Sequence, residues 1–319
     1  MSERLYLGID GGQSSTVALI GDENGVVLGL GQAGPANHVK ARGGPRKLKR
    51  AVLGAVGAAW THSPLADKRR PPFESAFFGM TGGPEDKAAI LEQIIRSRRM
   101  EVTHDAVTAL MGATEGRPGI IVISGTGSIC FGMNTKGQTA RAGGWGYVYG
   151  DEGSSFDIAR RALRAALSME EGWGPATVLR DWILRFSDVP MINDAMHAWY
   201  TDEFPRSRVA SFSRLVDQAA REGDRVARGI LRDAAHSLAL LVARVRPRVF
   251  KRNEEAIVSY IGGTWHSRIV LDRFRKLVRA QGLNRVVAPA LGPAAGALLA
   301  AYRAAGRLDV KLRNLPPDL

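Results

Sequence analysis

Short apolar runs punctuated by glycine, acidic and amide residues open the chain. Leu5 to Ile9 run into Asp10-Gly11-Gly12, Thr16 to Ile20 follow, and Asp22-Glu23-Asn24-Gly25 precedes Val26 to Leu30. Runs of this length between turn residues predict strands. An Asn-Gly pair supplies the positive φ of a tight hairpin, so a three-stranded antiparallel meander is expected, its first two strands joined by a glycine loop. The plan recurs downstream. Ile120 to Ile123 run into Ser124-Gly125-Thr126-Gly127-Ser128, Ile129 to Met133 continue, and Asn134-Thr135-Lys136-Gly137 make a turn. A repeat at roughly a hundred residues is too long for a solenoid and predicts two related domains.

Between the meanders, apolar positions at helical spacing predict helices over Lys47 to Trp60 and Glu85 to Arg98, with a strand at Ser75 to Met80. Strands mixed with helices make each half α/β. Beyond the second meander the pattern turns mainly helical, over Ser155 to Leu167, Phe212 to Arg221, Arg225 to Arg246 and Arg268 to Ala280, interrupted by one strand at Ala256 to Tyr260 before Ile261-Gly262-Gly263. The tail ALGPAAGALLAAYRAAG is rich in small helix formers with Pro293 near its first turn, which predicts a helix packed closely on another element.

The chain has 319 residues, 45% of them hydrophobic and 24% charged, the balance of an ordinary folded chain long enough for two cores. The start MSERLYLGID lacks the charged and apolar regions of a secretory signal, and the run Leu238 to Val245 is too short to span a bilayer. The single cysteine, Cys130, cannot form an internal disulfide. A cytoplasmic protein with no membrane partner is expected. A formal charge of +13 raises nucleic-acid binding, with Arg46 to Arg50, Arg96 to Arg99 and Arg244 to Arg252 as patches. No zinc-finger spacing or aromatic RNA-binding motif interleaves with them, so no nucleic-acid partner is expected; Arg225, Arg228 and Arg232 fit a solvated helix face, and general positive charge attracts anionic nucleotides.

A strand, a glycine-rich turn and a strand expose backbone N–H groups that phosphate oxygens can approach. Two such loops could grip a triphosphate, with Gly11, Gly12, Gln13 and Ser14 in the first and Gly125, Thr126 and Gly127 in the second; Ser15, Ser124 and Ser128 add hydroxyls. Asp10 ends an apolar strand at the first loop, where a carboxylate needs a cation or donors. Magnesium held through water is one partner; amides of the turn itself are another. No GxxxxGK[ST] loop occurs, which excludes a Walker-type kinase. Gly29-Leu30-Gly31-Gln32-Ala33-Gly34 matches GxGxxG, yet Pro35 follows and no helical stripe opens there, so it is not a dinucleotide site.

With these segments in view, the chain resembles the N-acetylglucosamine kinases within the BadF/BadG/BcrA/BcrD-type ATPases, of the sugar kinase, Hsp70 and actin superfamily. GIDGG at Gly8 to Gly12 looks like the first phosphate motif, ISGTGS at Ile123 to Ser128 like the second, and YIGGTWHS at Tyr260 to Ser267 like the adenosine segment. The most specific piece is GGWGYVYGDEGSSFDIAR, Gly143 to Arg160, similar to the family's sugar-site stretch. The resemblance covers nearly the whole chain and implies two actin-like (ribonuclease H-like) α/β domains with a central cleft, residues 1–117 and 118–319, the last helix (about 292–305) packing back on the first domain. It implies ATP and Mg2+ as cofactors and a homodimer.

The resemblance also implies site residues. Asn37 and His38 stand where an Asn-His pair touches the sugar, and Asp105, in Val102-Thr103-His104-Asp105-Ala106, stands where the family has its general base. The role is reasonable because phosphoryl transfer needs positioning, charge neutralisation and a carboxylate near the attacking oxygen; a helix N-cap is the structural alternative. Gly144, Trp145 and Asp151 look like further sugar contacts, the tryptophan offering an apolar face and the aspartate accepting ring hydroxyls, although Asp151 or Glu152 could instead serve a helix dipole. Ser14, where relatives carry threonine, and Thr126 match phosphate-contacting hydroxyls; Gly262, Gly263 and Thr264 should lie at the purine, with Ala219 a further nucleotide contact. Thr81, Gly82 and Gly83 line the sugar pocket or form a plain turn.

The implied reaction is transfer of the ATP γ-phosphoryl group to the 6-hydroxyl of N-acetylglucosamine or a related amino sugar. Two alternatives share the fold: an ATPase activator of a dehydratase, and a non-catalytic sugar-sensing regulator. The activator needs a four-thiolate cluster between subunits, whereas one Cys130 per chain supplies at most two. Glucosamine, N-acetylmuramic acid and glucose stay open as acceptors.

Overall fold

The first meander forms as the pattern of apolar runs predicts. In the computed structural model, which describes residues 4–37 and 39–316, β1 (Tyr6–Gly11), β2 (Thr16–Gly21) and β3 (Val27–Ala33) pair antiparallel. Gly25 turns the second hairpin at φ 81°, where Asp22 Oδ1 accepts from the amides of Asn24 (2.8 Å) and Val26 (2.9 Å). Helix α1 (Gly44–Thr61) buries Leu48, Val52, Ala55, Val56 and Ala59 at three- and four-residue spacing and lays that stripe on β2 and β3. β4 (Ser75–Met80) then pairs parallel with β1.

Helix α2 (Ala88–Ile94) is shorter than the predicted Glu85 to Arg98. Its continuation is taken by a tertiary contact: Phe73 N–H donates to the Arg96 carbonyl and Arg98 N–H to the Phe73 carbonyl, both 2.9 Å. That extended stretch leads into β5 (Met100–His104), parallel to β4, and α3 (Asp105–Ala113). The sheet order is β3-β2-β1-β4-β5.

The second meander repeats this plan. β6 (Gly119–Ser124), β7 (Ser128–Met133) and β8 (Thr139–Gly143) pair antiparallel. Gly137 turns the second hairpin at φ 74°, with Asn134 Oδ1 accepting from the amides of Lys136 and Gln138, both 3.0 Å. An aspartate and an asparagine do the same work because each offers a side-chain oxygen to amides two and four positions on. Helices follow: α4 (Ser155–Glu170), α5 (Leu179–Ser187), α6 (Ile192–Ala198), α7 (Arg206–Ser211), α8 (Ser213–Arg221) and α9 (Arg225–Val249). β9 (Ala256–Ile261) pairs parallel with β6, and after α10 (Arg268–Ala280) β10 (Asn284–Val286) pairs parallel with β9. The order β10-β9-β6-β7-β8 reproduces the first sheet strand for strand, the relation expected of two ribonuclease H-like domains.

The chain divides into two compact units, Met1–Arg117 with Ala288–Leu319, and Pro118–Val287. The return segment carries α11 (Pro293–Ala304), whose buried face of Ala294, Ala295, Gly296, Ala297, Leu298 and Ala301 packs on β1, β4 and α3. Each unit has its own core: Leu7, Ile9, Val52 and Phe78 are among its centre in the first, Val122, Leu238, Val242 and Phe274 in the second. Among the described residues no helix is long and apolar enough to cross a membrane.

Candidate active site

Parallel strands deliver side chains to a common edge at their carboxyl ends, and ligands of α/β folds bind there. In the first unit the register aligns Gly11 with Met80 and Met80 with His104, so Asp10, Thr81 and Asp105 emerge side by side. Thr81 N–H donates to the Gly11 carbonyl at 2.9 Å. Thr108, one turn into α3, donates to the Asp105 carbonyl at 2.9 Å and faces Asp10 Oδ1 at 3.5 Å.

The two carboxyl groups differ in their support. Burial pushes Asp10 up to about 7, with the nearby Asp105 adding to the rise and the Thr108 hydroxyl opposing it. Burial likewise raises Asp105, against hydrogen bonds from the Thr81 hydroxyl and the Ala106 amide. Asp105 is the first residue of α3 and His104 its cap position, so Asp105 touches the helix N-terminus and also reaches the Thr81 loop, whose Gly82 and Gly83 have φ 75° and 95°. Among the described residues Asp10 accepts no bond from the turn that follows it; that turn closes on itself through Gly12 N–H to the Ser15 carbonyl, 2.8 Å. Gln13 and Ser14 lie exposed at its tip. Asn37 stands beside it, donating to the Gln13 carbonyl at 3.4 Å and accepting from Lys47 Nζ at 2.6 Å. His38 lies outside the described residues.

Asp10 fits magnesium. It is a carboxylate with a single long hydroxyl contact, and among the described residues no group of three or more His, Cys, Asp or Glu is placed to cage an ion. Mg2+ suits such a donor set, taking one carboxylate together with phosphate oxygens and water.

In the second unit, the glycine loop, the segment after Gly143 and the turn after β9 are stitched together. Gly125 N–H donates to the Gly127 carbonyl (2.9 Å), and Ser155 N–H to the Gly125 carbonyl (2.8 Å). Thr264 Oγ1 lies 2.9 Å from both Ser124 Oγ and Ser155 Oγ. Gly262, at φ 113°, backs directly onto the Ser124 carbonyl. Ser154 caps α4, accepting from the Asp157 amide at 3.1 Å, so neither Asp151 nor Glu152 is spent on that helix end. Asp151 is buried at φ 61°, accepts from Ser128 N–H at 3.2 Å and pairs with Arg206 at 2.6 Å. Gly144, at φ 74°, sets Trp145 out 67% exposed, with Arg141 stacked 5.2 Å from its ring.

Beside Gly263 and Thr264 lies a cavity of about 580 Å³, lined also by Asp217, Arg221, Ser267 and Arg268. Ser267 Oγ donates to Asp217 Oδ1 at 2.5 Å, and Arg221 Nε to Asp217 Oδ2 at 3.0 Å. Ala219, on the same helix as Asp217 and Arg221, is fully buried in the core and is not among the cavity's lining residues. Three groups escaped the sequence reading: Thr108, the Asp217 cluster and Arg206. Thr108 is one turn from Asp105 and could have been found from helical spacing; Asp217 and Arg206 sit on helices with no motif.

Two rival readings lose support from placement. Cys130 is fully buried on β7 and its thiol is pushed far up by desolvation, a poor position for a cluster ligand. Arg246, centre of one basic patch, is buried, bonding Asn284 Oδ1 and the carbonyls of Lys251 and Glu254. Arg225, Arg228 and Arg232 are exposed along α9.

Comparison with known proteins adds to this geometry. The BadF/BadG/BcrA/BcrD ATPase family matches residues 7–301. An N-acetylmuramic acid/N-acetylglucosamine kinase of Clostridium acetobutylicum is 40% identical over 199 residues, covering 61% of this chain and 65% of that protein, just under two thirds of its length. An N-acetyl-D-glucosamine kinase of Dictyostelium discoideum is 29% identical, covering 93% and 99%. A solved structure from Chromobacterium violaceum, described as a candidate N-acetylglucosamine kinase, superposes with a TM-score of 0.77 at 28% identity, covering 93% and 98%.

Proposed function

This chain belongs to the BadF/BadG/BcrA/BcrD ATPase family, and we propose that it is an ATP-dependent kinase that phosphorylates an amino sugar, N-acetylglucosamine or a close relative, at the 6-hydroxyl. The observation that carries the reading is the edge shared by Asp10, Thr81 and Asp105, a metal-fitting carboxylate beside a carboxylate of raised proton affinity. Relatives matched over most of their length carry sugar-kinase names.

Asp105 takes the proton from the sugar hydroxyl as its oxygen bonds to the γ-phosphorus, and the bond to the β-bridging oxygen breaks to release ADP. Thr81 and the Ala106 amide keep the carboxylate pointed and partly offset the cost of its ionisation. Asn37 offers its amide N–H to the sugar, since Lys47 has only donors and so takes the amide oxygen. Trp145 and Asp151 supply an apolar face and an acceptor. The loops at Gly11 to Ser14 and Gly125 to Gly127 bind phosphates, and the cavity beside Gly263 takes the nucleoside, Asp217 accepting from it. Magnesium, held by Asp10 through water, would neutralise phosphate charge.

The test is a coupled ADP-release screen with N-acetylglucosamine, N-acetylmuramic acid, glucosamine and glucose. Turnover with at least one amino sugar is expected, with phosphorus coupled to both H6 protons in the product NMR spectrum, and Asp105→Ala should lower kcat by on the order of 1,000-fold with the fold intact. No turnover with any of the four, or near-normal activity of Asp105→Ala, refutes the proposal.

A further inference from the structure

Arg206 opens α7, far in sequence from every motif, yet its guanidinium touches two parts of the second unit's site at once. Nη2 donates to Asp151 Oδ2 at 2.6 Å and to the Thr126 carbonyl of the glycine loop at 3.3 Å. The guanidinium carbon lies 4.8 Å from the centre of the Tyr147 ring and 5.7 Å from that of Phe156, a cation–π seat that fixes its plane. Nε is buried with no hydrogen-bond partner among the described residues.

The partner is equally constrained. Asp151 adopts a left-handed backbone conformation, φ 61°, uncommon outside glycine and tolerated best by aspartate and asparagine. Its Oδ1 accepts from Ser128 N–H. A Cβ at position 127 would stand 2.9 Å from Asp151 Oδ2 and 3.2 Å from Arg206 Nη2, so the ion pair sits flush against the glycine loop. Each carboxylate oxygen keeps a lone pair, and the restraints decide where those lone pairs point.

We propose that Arg206 is a positioning residue: by holding the Asp151 carboxylate and the Thr126 carbonyl on one nitrogen, it orients Asp151 toward the amino sugar and couples that contact to the phosphate-binding loop. The inference rests on the reading of Asp151 as a sugar contact. It predicts that Arg206 matters for sugar affinity through Asp151, and that sugar and nucleotide affinities are linked through it.

The experiment is a double-mutant cycle in the full-length enzyme with Arg206→Met, Asp151→Asn and the pair. The readouts are kcat, KM for N-acetylglucosamine and ATP, and ADP affinity with and without the sugar. Each single variant should raise the sugar KM about tenfold or more with a smaller change in the ATP KM, and the pair should lose little more than the worse single variant. In the wild type sugar should tighten ADP binding, and that enhancement should vanish in Arg206→Met. Arg206→Lys should fall between, because an ammonium keeps the charge but lacks the planar guanidinium that stacks on Tyr147 and Phe156. A wild-type sugar KM in Arg206→Met, or additive losses in the pair, overturns the inference alone. If methionine prevents folding, lysine decides: a rise of about threefold or more in sugar KM supports the proposal and a wild-type value refutes it. A wild type that turns over no sugar removes the kinase reading and this inference together.

Discussion

Asp10 ends β1 with a carboxyl group lifted to about 7 by burial, helped by Asp105, whereas it titrates near 3.8 in the unfolded chain. The metal-free protein therefore has this group's full contribution below 3.8 and loses it as pH rises to 7, a loss of up to about 4 kcal/mol. Asparagine has the same shape without the charge. In magnesium-free buffer Asp10→Asn should be more stable than wild type at pH 8, with the difference closing toward pH 4, while its kinase activity is lost. Urea unfolding across that range checks it; equal stability at pH 8 would mean that Asp10 ionises there without penalty. Local spacing made Asp10 and Asp105 legible as candidates, because each ends a strand or begins a helix beside glycine. Which neighbours hold them was not legible, since Thr81 and Thr108 reach them across strands.

Helix α11 acts on the site through packing. A Cβ at Gly296 would come 2.0 Å from the Thr108 carbonyl, and Thr108 holds the first turn of α3 and faces Asp10. Gly296→Ala should push α3 away, lowering stability by roughly 1–3 kcal/mol and kcat more than sugar KM, as expected when a proton acceptor shifts while binding contacts survive. Thermal unfolding and steady-state kinetics on the same sample check both; unchanged kcat would show that α3 tolerates the displacement. The tail's small residues announced close packing, but only the contacts identify β1, β4 and α3 as its target. Helix α2 went the other way: its apolar spacing ran on through Ile95, and backbone pairing with Phe73 overrode it.

At the scale of the molecule, the formal charge of +13 includes arginines on exposed helix faces such as Arg225, Arg228 and Arg232, while Arg246, in the Arg244 to Arg252 patch, is buried in the second unit. A general positive field draws in a nucleotide over distances that salt screens. The KM for ATP, measured at fixed free magnesium, should rise on the order of threefold between 50 and 300 mM KCl while the KM for uncharged N-acetylglucosamine stays level; a salt-independent ATP KM would leave binding to the short-range loops alone. The two sheets share strand order, strand sense and second-turn chemistry, which is how a repeat faint in residue identity shows as two copies of one plan.

The sequence by itself determined the three strands of the first meander and the first two of the second, the glycine turns between them, the amphipathic helices α1, α9 and α10, and the carboxylates at strand and helix ends. These follow from interactions a few residues long: apolar periodicity, turn chemistry and the sterics of glycine. Only the tertiary structure decided that α11 covers β1, β4 and α3, that Ala219 faces the core while Asp217 faces a cavity, and that Arg206 clasps Asp151. Those outcomes depend on pairs tens to hundreds of residues apart, whose energies are set by burial and mutual orientation, quantities that local pattern does not encode.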